Sequence, residues 1–357
     1  MRPVRVLIVE DSAVVREHLR NIISADPRLQ VAGMAGSGEE ALAMVDQVAP
    51  DVISMDIQLP GIEGFETTRR IMAYRPTPIV VVSGIDMEEV NLTMRALKSG
   101  ALGVVQKPVS SGHPDYDVIA RRLCTQLAIM SEVKVIRRRD VGPRKGEPAL
   151  LPAVPPVSVS RLSFAATPRV LAVAASTGGP NALLHLLCGL GEHFPLPVVL
   201  VQHMTSGFVE GFADWLSEVT PFSACVVNGP TTLLPGMVYV APSERHLVLH
   251  SSGAGLSDAP PVGTLRPSAN VLFSSAAKTV GAACIAVLLT GMGEDGAAGM
   301  GELNASGAYT LAEDETTAVV YGMPAAAARQ GFVRELLPLP GIAPRILSLI
   351  AAKNERS

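Results

Sequence analysis

At 357 residues the chain is longer than one hydrophobic core ordinarily serves, which predicts two domains. With 48% hydrophobic and 17% charged residues and a net charge of −4, it has the balance of a globular α/β protein. That charge argues against a nucleic-acid partner, which would need a concentrated basic face.

Residues 1–130 alternate short apolar runs with amphipathic stretches. VRVLIVE (4–10), LQVAGMA (29–35), DVISMD (51–56), PIVVVSG (78–84) and ALGVVQK (101–107) predict five strands, with helical spacing between them, as over 13–24. Continuous Val/Ile runs suit parallel strands covered on both faces. Five strands in strict alternation with five helices predict a doubly wound, flavodoxin-like sheet. Residues 131–168 are basic, then Pro-rich, without periodicity, and read as a linker. From 169 to 357 the alternation resumes. RVLAVAAS, PVVLVQH, MVYVAP, CIAVLLTG and GAYTLAE predict strands, and helices are expected near 181–190, 207–219, 270–281 and 295–306. This is a second doubly wound α/β domain. No 18-residue apolar span and no signal-peptide pattern interrupts the chain, so a cytoplasmic protein without membrane insertion is expected. Cys124, Cys188, Cys225 and Cys284 are far apart and form no C-x-x-C pair, and all four read as buried small hydrophobes.

In the first domain the chemistry sits at strand ends. Glu10 and Asp11 close the first strand, Asp56 the third and Ser83 the fourth, and Lys107 follows the fifth. In an open parallel sheet these ends face one crevice. Three carboxylates there repel one another unless a cation lies among them, and hard oxygen ligands with room for water suit Mg²⁺. A carboxylate so placed can attack a phosphoryl group while the metal and Lys107 offset the developing charge. The set, in this order, resembles the response-regulator receiver family across residues 1–130. The resemblance implies Asp56 as phosphoacceptor, Glu10, Asp11 and Asp56 as Mg²⁺ ligands, and Ser83 and Lys107 as phosphate sensors. It also implies a Lys107–Pro108 bond that is often cis. Val104, three residues before Lys107, stands where many receivers carry an aromatic switch.

The second domain has its own set. RVLAVAASTGGP carries Ser176 at a strand-to-helix corner, with Pro180 in the first helical turn. Backbone N–H groups at a helix N-terminus can stabilise an oxyanion. His203 ends the next strand in VVLVQHM, and Asp295 lies in the Gly-rich loop of LLTGMGEDGA. Parallel strands thus bring a serine, a histidine and an aspartate to one edge, as a nucleophile, its base and an orienting carboxylate require. His246 and Asp314 compete for the latter two roles. AASTGGP, VQHM, YVAPSERHL, RPSANVLF, LTGMGEDGAAGM and DETTAVVYGMP, in this order, resemble the catalytic domain of the protein-glutamate methylesterase family. That resemblance implies Ser176 as nucleophile, His203 as general base and Asp295 as its orienting acid. Thr177 joins the active-site surround, and the Met292 N–H is implied as an oxyanion donor. It further implies ester hydrolysis without a cofactor, glutamine deamidation as a second activity, methyl-accepting chemotaxis receptors as substrate, a cognate histidine kinase as phosphodonor, and a monomer. HMTSGFVEGF and GTLRPS depart from the family's usual wording beside His203 and Arg266, which puts substrate preference rather than chemistry in question. Arg266 is a candidate for binding an acidic receptor segment or for a structural ion pair. A non-catalytic receiver-linked adaptor and an enzyme that is mainly a deamidase are the alternatives.

Overall fold

A computed structural model describes residues 2–84, 96, 100–110, 112–114, 116–133 and 166–354. The chain forms two compact units. The first has strands β1 (Val4–Val9), β2 (Leu29–Ala35), β3 (Val52–Asp56), β4 (Ile79–Ser83) and β5 (Gly103–Gln106), in the order β2-β1-β3-β4-β5. All are parallel, which is the flavodoxin-like order expected. Helices α1 (Ala13–Ala25), α2 (Gly38–Val48), α3 (Gly64–Tyr74) and α4 (Tyr116–Met130) connect or flank them. Ser12 and Ser37 cap α1 and α2 by accepting from the Val15 and Glu40 amides. Val6, Leu7, Ile8 and Val9 are buried, as are Val80 to Val82 on β4. Each such side chain contributes about 1.5–3 kcal/mol of transfer free energy. The helix expected between β4 and β5 falls mainly on residues outside those described, as does most of the linker, 134–165. The Lys107–Pro108 bond is trans, against expectation; among the described residues the cis bond is Arg266–Pro267.

The second unit holds β6 (Val170–Ala175), β7 (Val198–Gln202), β8 (Ser223–Val226), β9 (Met237–Val240), β10 (His246–His250), β11 (Gly253–Ser257), β12 (Cys284–Leu288), β13 (Tyr309–Glu313) and β14 (Glu335–Leu337). Seven form one parallel sheet in the order β14-β13-β12-β6-β7-β9-β8, while β10 and β11 pair as an antiparallel hairpin. The sequence pattern predicts five of these strands. The additional sheet members, β8 and β14, are short edge strands of four and three residues with partly exposed side chains, so they lack the continuous apolar signature. Helices α5 (Gly179–Leu190), α6 (Val209–Val219), α7 (Ala269–Thr279), α8 (Ala297–Ala305), α9 (Met323–Arg329) and α10 (Leu339–Asn354) complete the unit. α7 packs on α8 and on β10, closing a core that includes Val199, Leu247, Phe273, Leu288 and Met300. From β6 the chain first winds through β7 and β9, then returns to β12 on the other side. The switch point of the sheet therefore lies beside the carboxyl end of β6, where open α/β sheets place their sites. Cys124 and Cys284 are buried as expected, but Cys225 is only partly covered and Cys188 is exposed. Among the described residues no helix is long and apolar enough to cross a membrane.

Candidate functional site

In the first unit the carboxyl ends of β1 and β3 bring Glu10, Asp11 and Asp56 together, with oxygens within 4.8 Å of one another. Glu10 and Asp56 are buried and Asp11 is exposed. Lys107 Nζ donates to Asp56 Oδ2 at 2.8 Å and lies 3.5 Å from Glu10 Oε2. Burial pushes Glu10 up to about 7, and neighbouring Asp56 adds to this while Lys107 opposes it. Burial likewise raises Asp56, against the hydrogen bond from Lys107. Two buried carboxyls beside one ammonium leave excess negative charge. Glu10 Oε2 is buried and accepts no hydrogen bond. An all-oxygen cluster with an unsatisfied buried donor atom fits a hard divalent cation such as Mg²⁺. Ser83 is buried at the end of β4, and its carbonyl accepts from the Lys107 amide at 2.8 Å. Val104, on β5, is paired with Val81.

In the second unit Ser176 follows β6 and His203 follows β7. The His203 N–H donates to the Ala175 carbonyl at 2.9 Å, extending the ladder so that the two residues leave adjacent strands side by side. The Ser176 N–H donates to Thr290 O at 3.0 Å, and the Ser176 carbonyl accepts from Gly179 N at 2.8 Å. These bonds fix the corner before α5, whose first turn contains Pro180 and whose positive end faces the crevice.

Asp295 is 6% exposed and lies between β12 and α8. His203 Nε2 stands 3.0 Å from its Oδ2, although the ring N–H is not aligned for a hydrogen bond. Ser268 Oγ donates to Asp295 Oδ1 at 2.7 Å, Ala269 N to Oδ2 at 2.6 Å and Asn270 N to Oδ1 at 3.1 Å. The carboxylate therefore caps the N-terminus of α7 from another part of the chain. Burial pushes its carboxyl up, but the facing His203, the Ser268 hydroxyl and the Ala269 amide outweigh this and hold it below the usual range. Asp295 is thus an anion at neutral pH, beside the imidazole it would orient.

The competing residues take other parts. His246 is fully buried; its Nδ1 accepts from Ser268 N at 3.1 Å, so Nε2 carries the proton and donates to Pro260 O at 3.1 Å. It braces Ser268 and lies one layer behind the pair. Asp314 caps its own turn by accepting from Thr316 N and Oγ1. Arg266 Nη2 lies 3.5 Å from Glu244 Oε2.

Thr177 is nearly buried, and its carbonyl accepts from Thr290 Oγ1 at 2.9 Å. Gly291 passes so close to Ser176 that an added Cβ would lie 2.8 Å from the serine Cβ and 2.3 Å from Met323 Sδ. The next residue, Met292, is 46% exposed, and its N–H has no hydrogen-bond partner among the described residues. Sequence reasoning missed Ser268, the Ala269 and Asn270 amides, and Gln202. Ser268 follows a proline and precedes a helical run, which marks an N-cap. No sequence signal says that a carboxylate 27 residues away replaces its capping bond.

Comparison with known proteins matches each unit to a domain family. Residues 171–346 match the CheB methylesterase family and residues 6–113 the response regulator receiver domain. The chain is 48% identical to protein-glutamate methylesterase/protein-glutamine glutaminase 2 of Paramagnetospirillum magneticum, over 98% of each chain. It is 45% identical to protein-glutamate methylesterase/protein-glutamine glutaminase 4 of Myxococcus xanthus, over 97% of each. The crystal structure of the Thermotoga maritima CheB methylesterase catalytic domain aligns over 52% of this chain and all of that one, with 31% identity and a TM-score of 0.50. The chain therefore belongs to the protein-glutamate methylesterase/protein-glutamine glutaminase family, with a receiver domain ahead of its catalytic domain.

Proposed function

We propose that this protein is a phosphorylation-activated hydrolase of glutamate γ-methyl esters on methyl-accepting chemotaxis receptors, and that it also deamidates receptor glutamines. The observation that carries the reading is the buried His203–Asp295 pair, held by the N-terminus of α7 beside Ser176. In this reading residues 1–130 are the receiver, 131–168 the linker and 169–357 the catalytic domain, all acting in the cytoplasm.

Ser176 is the nucleophile, His203 its base and Asp295 the orienting acid. Because Nε2 faces Asp295, Nδ1 is the imidazole nitrogen that takes the serine proton, the reverse of the chymotrypsin arrangement. Ser176 Oγ attacks the γ-carbonyl, and the oxyanion is met by the Met292 N–H, with Thr177 beside it. Collapse expels methoxide, which takes the proton back from His203 and leaves as methanol. Water then adds to the acyl-serine under the same base, freeing glutamate and Ser176. With glutamine the first leaving group is ammonia. The ester step needs no cofactor.

In the receiver, Asp56 accepts the phosphoryl group from a cognate histidine kinase. Glu10, Asp11 and Asp56 would hold Mg²⁺, which neutralises the phosphoryl oxygens when bound. Lys107 contacts the same oxygens, and Ser83 senses the phosphate. The test is methanol release from methylated receptor cytoplasmic fragments, with and without a small-molecule phosphodonor and Mg²⁺. Wild type should be stimulated by donor, Ser176→Ala should be inactive, and Asp56→Ala should keep basal activity but ignore donor. Absence of methanol from the wild type under every condition would overturn the reading.

A further inference from the structure

Gln202 is the last residue of β7, 4% exposed, immediately before His203. Its carboxamide nitrogen donates to the Ser176 carbonyl at 2.8 Å and to the His203 carbonyl at 2.9 Å. We infer that Gln202 is a positioning residue whose single side-chain NH₂ clamps the backbone of the nucleophile to that of the base. The inference rests on the assignment of Ser176 and His203 proposed above.

Several features of the site point the same way. Both partners are carbonyl oxygens, so the amide must present its nitrogen to them; the reversed amide would set three acceptors against one another. That choice turns Oε1 away, and Oε1 is buried without a hydrogen-bond partner. Proteins seldom leave a buried acceptor unsatisfied. Here it lies against the first turn of α5, whose positive end offsets part of the cost. The backbone makes room for it: a Cβ added to Gly179 would stand 2.0 Å from Oε1. The glycine after Gly178 thus serves the clamp as well as the turn. The ladder bond from His203 N to Ala175 O joins the two strands one residue earlier. It fixes strand spacing but does not fix the direction in which either corner turns. The amide bridges the corners themselves, on the carbonyl side of each residue. Reacting groups held in register by backbone restraints are sensitive to small shifts, and a displacement of about 1 Å can cost about 100-fold in rate.

The test uses the full-length protein with two variants. Gln202→Leu keeps the volume and removes both donors. Gln202→Glu keeps the shape, but its carboxyl can donate only while protonated. Three quantities are measured against wild type and Ser176→Ala: kcat and KM for methanol release from a methylated receptor fragment, the rate at which a small sulfonyl fluoride labels Ser176, and the folded fraction by circular dichroism at the assay temperature. For Gln202→Leu, kcat per folded molecule should fall about 100-fold, with labelling falling in step and KM within about twofold. For Gln202→Glu, the ratio of its kcat to that of wild type should decline as pH rises from about 5 to 8, as the buried carboxyl ionises against two carbonyls. A merely structural loss would lower the folded fraction and leave that ratio flat with pH. Should Gln202→Leu not fold, the pH dependence of Gln202→Glu decides alone. The inference is overturned if folded Gln202→Leu keeps wild-type kcat and labelling, or if the Gln202→Glu ratio does not change with pH. If Ser176→Ala still releases methanol, the underlying assignment fails instead, and the clamp with it.

Discussion

Asp295 shares one carboxylate among the Ser268 hydroxyl, two amides of α7 and the face of His203. Both carboxylate oxygens accept, so an asparagine here would keep one acceptor, turn its NH₂ against a donor of α7, and lose the charge that faces the histidine. Asp295→Asn should lose about 1,000-fold or more in kcat per folded molecule for methanol release, because the imidazolium formed during attack is no longer offset. Ser268→Ala removes one hydrogen bond to a charged acceptor, worth about 1.5–3 kcal/mol, and should lower kcat about tenfold with KM unchanged. Equal activity of Ser268→Ala and wild type would mean that Asp295 is held well enough by the backbone alone. Glu313, at the end of β13, presents another kind of carboxyl. It is fully buried, accepts from Thr290 N at 2.9 Å, and is pushed up to about 7 by burial from an ordinary 4.5. The folded state then binds its proton more tightly than the unfolded state. Its stabilising contribution is complete below about pH 4.5 and is lost as pH rises through about 7. The swing is on the order of 3 kcal/mol. Wild type should lose melting temperature across that window, and Glu313→Gln should flatten the slope and melt higher at pH 8. An unchanged slope in Glu313→Gln would assign the pH dependence to other groups. The residues proposed as reactive could be picked out in the sequence because Ser176 and His203 directly follow apolar strands and Asp295 lies in the Gly-rich loop after another. Ser268 and Gln202 were not, since their partners are fixed by chain crossings that no local pattern encodes.

Helices α7 and α8 cap one another. Asp295, just before α8, accepts from the first amides of α7, and Asn270 Oδ1 on α7 accepts from Gly296 N at 3.0 Å and Gly299 N at 2.8 Å at the start of α8. Neither helix has a side-chain cap of its own from the residue at its N-cap position. The reciprocal arrangement ties the acid of the proposed triad to the packing of two helices. Asn270→Ala should cost about 1–2 kcal/mol in chemical denaturation, the usual scale for a lost cap. It should also lower kcat, because the loop carrying Asp295 opens onto the helix that has lost its cap. Destabilisation with full activity would separate capping from catalysis. At this scale, strands β1, β3, β4, β6, β7 and β12 were readable because they are largely buried and most of their residues are apolar. Edge strands β8 and β14 and the hairpin β10–β11 were not. Short strands with one open face mix polar and apolar residues, and their pairing depends on neighbours far away in sequence.

For the molecule as a whole, the two units place different chemistry at the same topological feature, the carboxyl edge of a parallel sheet. Strand-end residues let both candidate sites be picked out in the sequence, because an open α/β sheet leaves few other places for polar side chains to converge. What distinguishes the units is charge. The first gathers three carboxylates, two of them against one lysine, whereas the second pairs one carboxylate with one imidazole. An unbalanced acidic cluster stores repulsion that a divalent cation relieves, and a ligand that binds only the folded state stabilises it. At a concentration 100 times its dissociation constant, the gain is about 2.7 kcal/mol. Calorimetry of the full chain should therefore show Mg²⁺ raising the melting temperature of the transition that Asp56→Ala also perturbs. Sodium chloride at matched ionic strength is the control, because general screening acts on exposed charges throughout the molecule. Asp11→Ala should abolish the Mg²⁺ shift while leaving basal methanol release intact, since Asp11 has no part in the proposed esterase chemistry. If Mg²⁺ produced no shift beyond the salt control, or shifted Asp11→Ala equally, the cluster would not be the metal site. Phosphoryl transfer to Asp56 would then require another means of neutralising its charge.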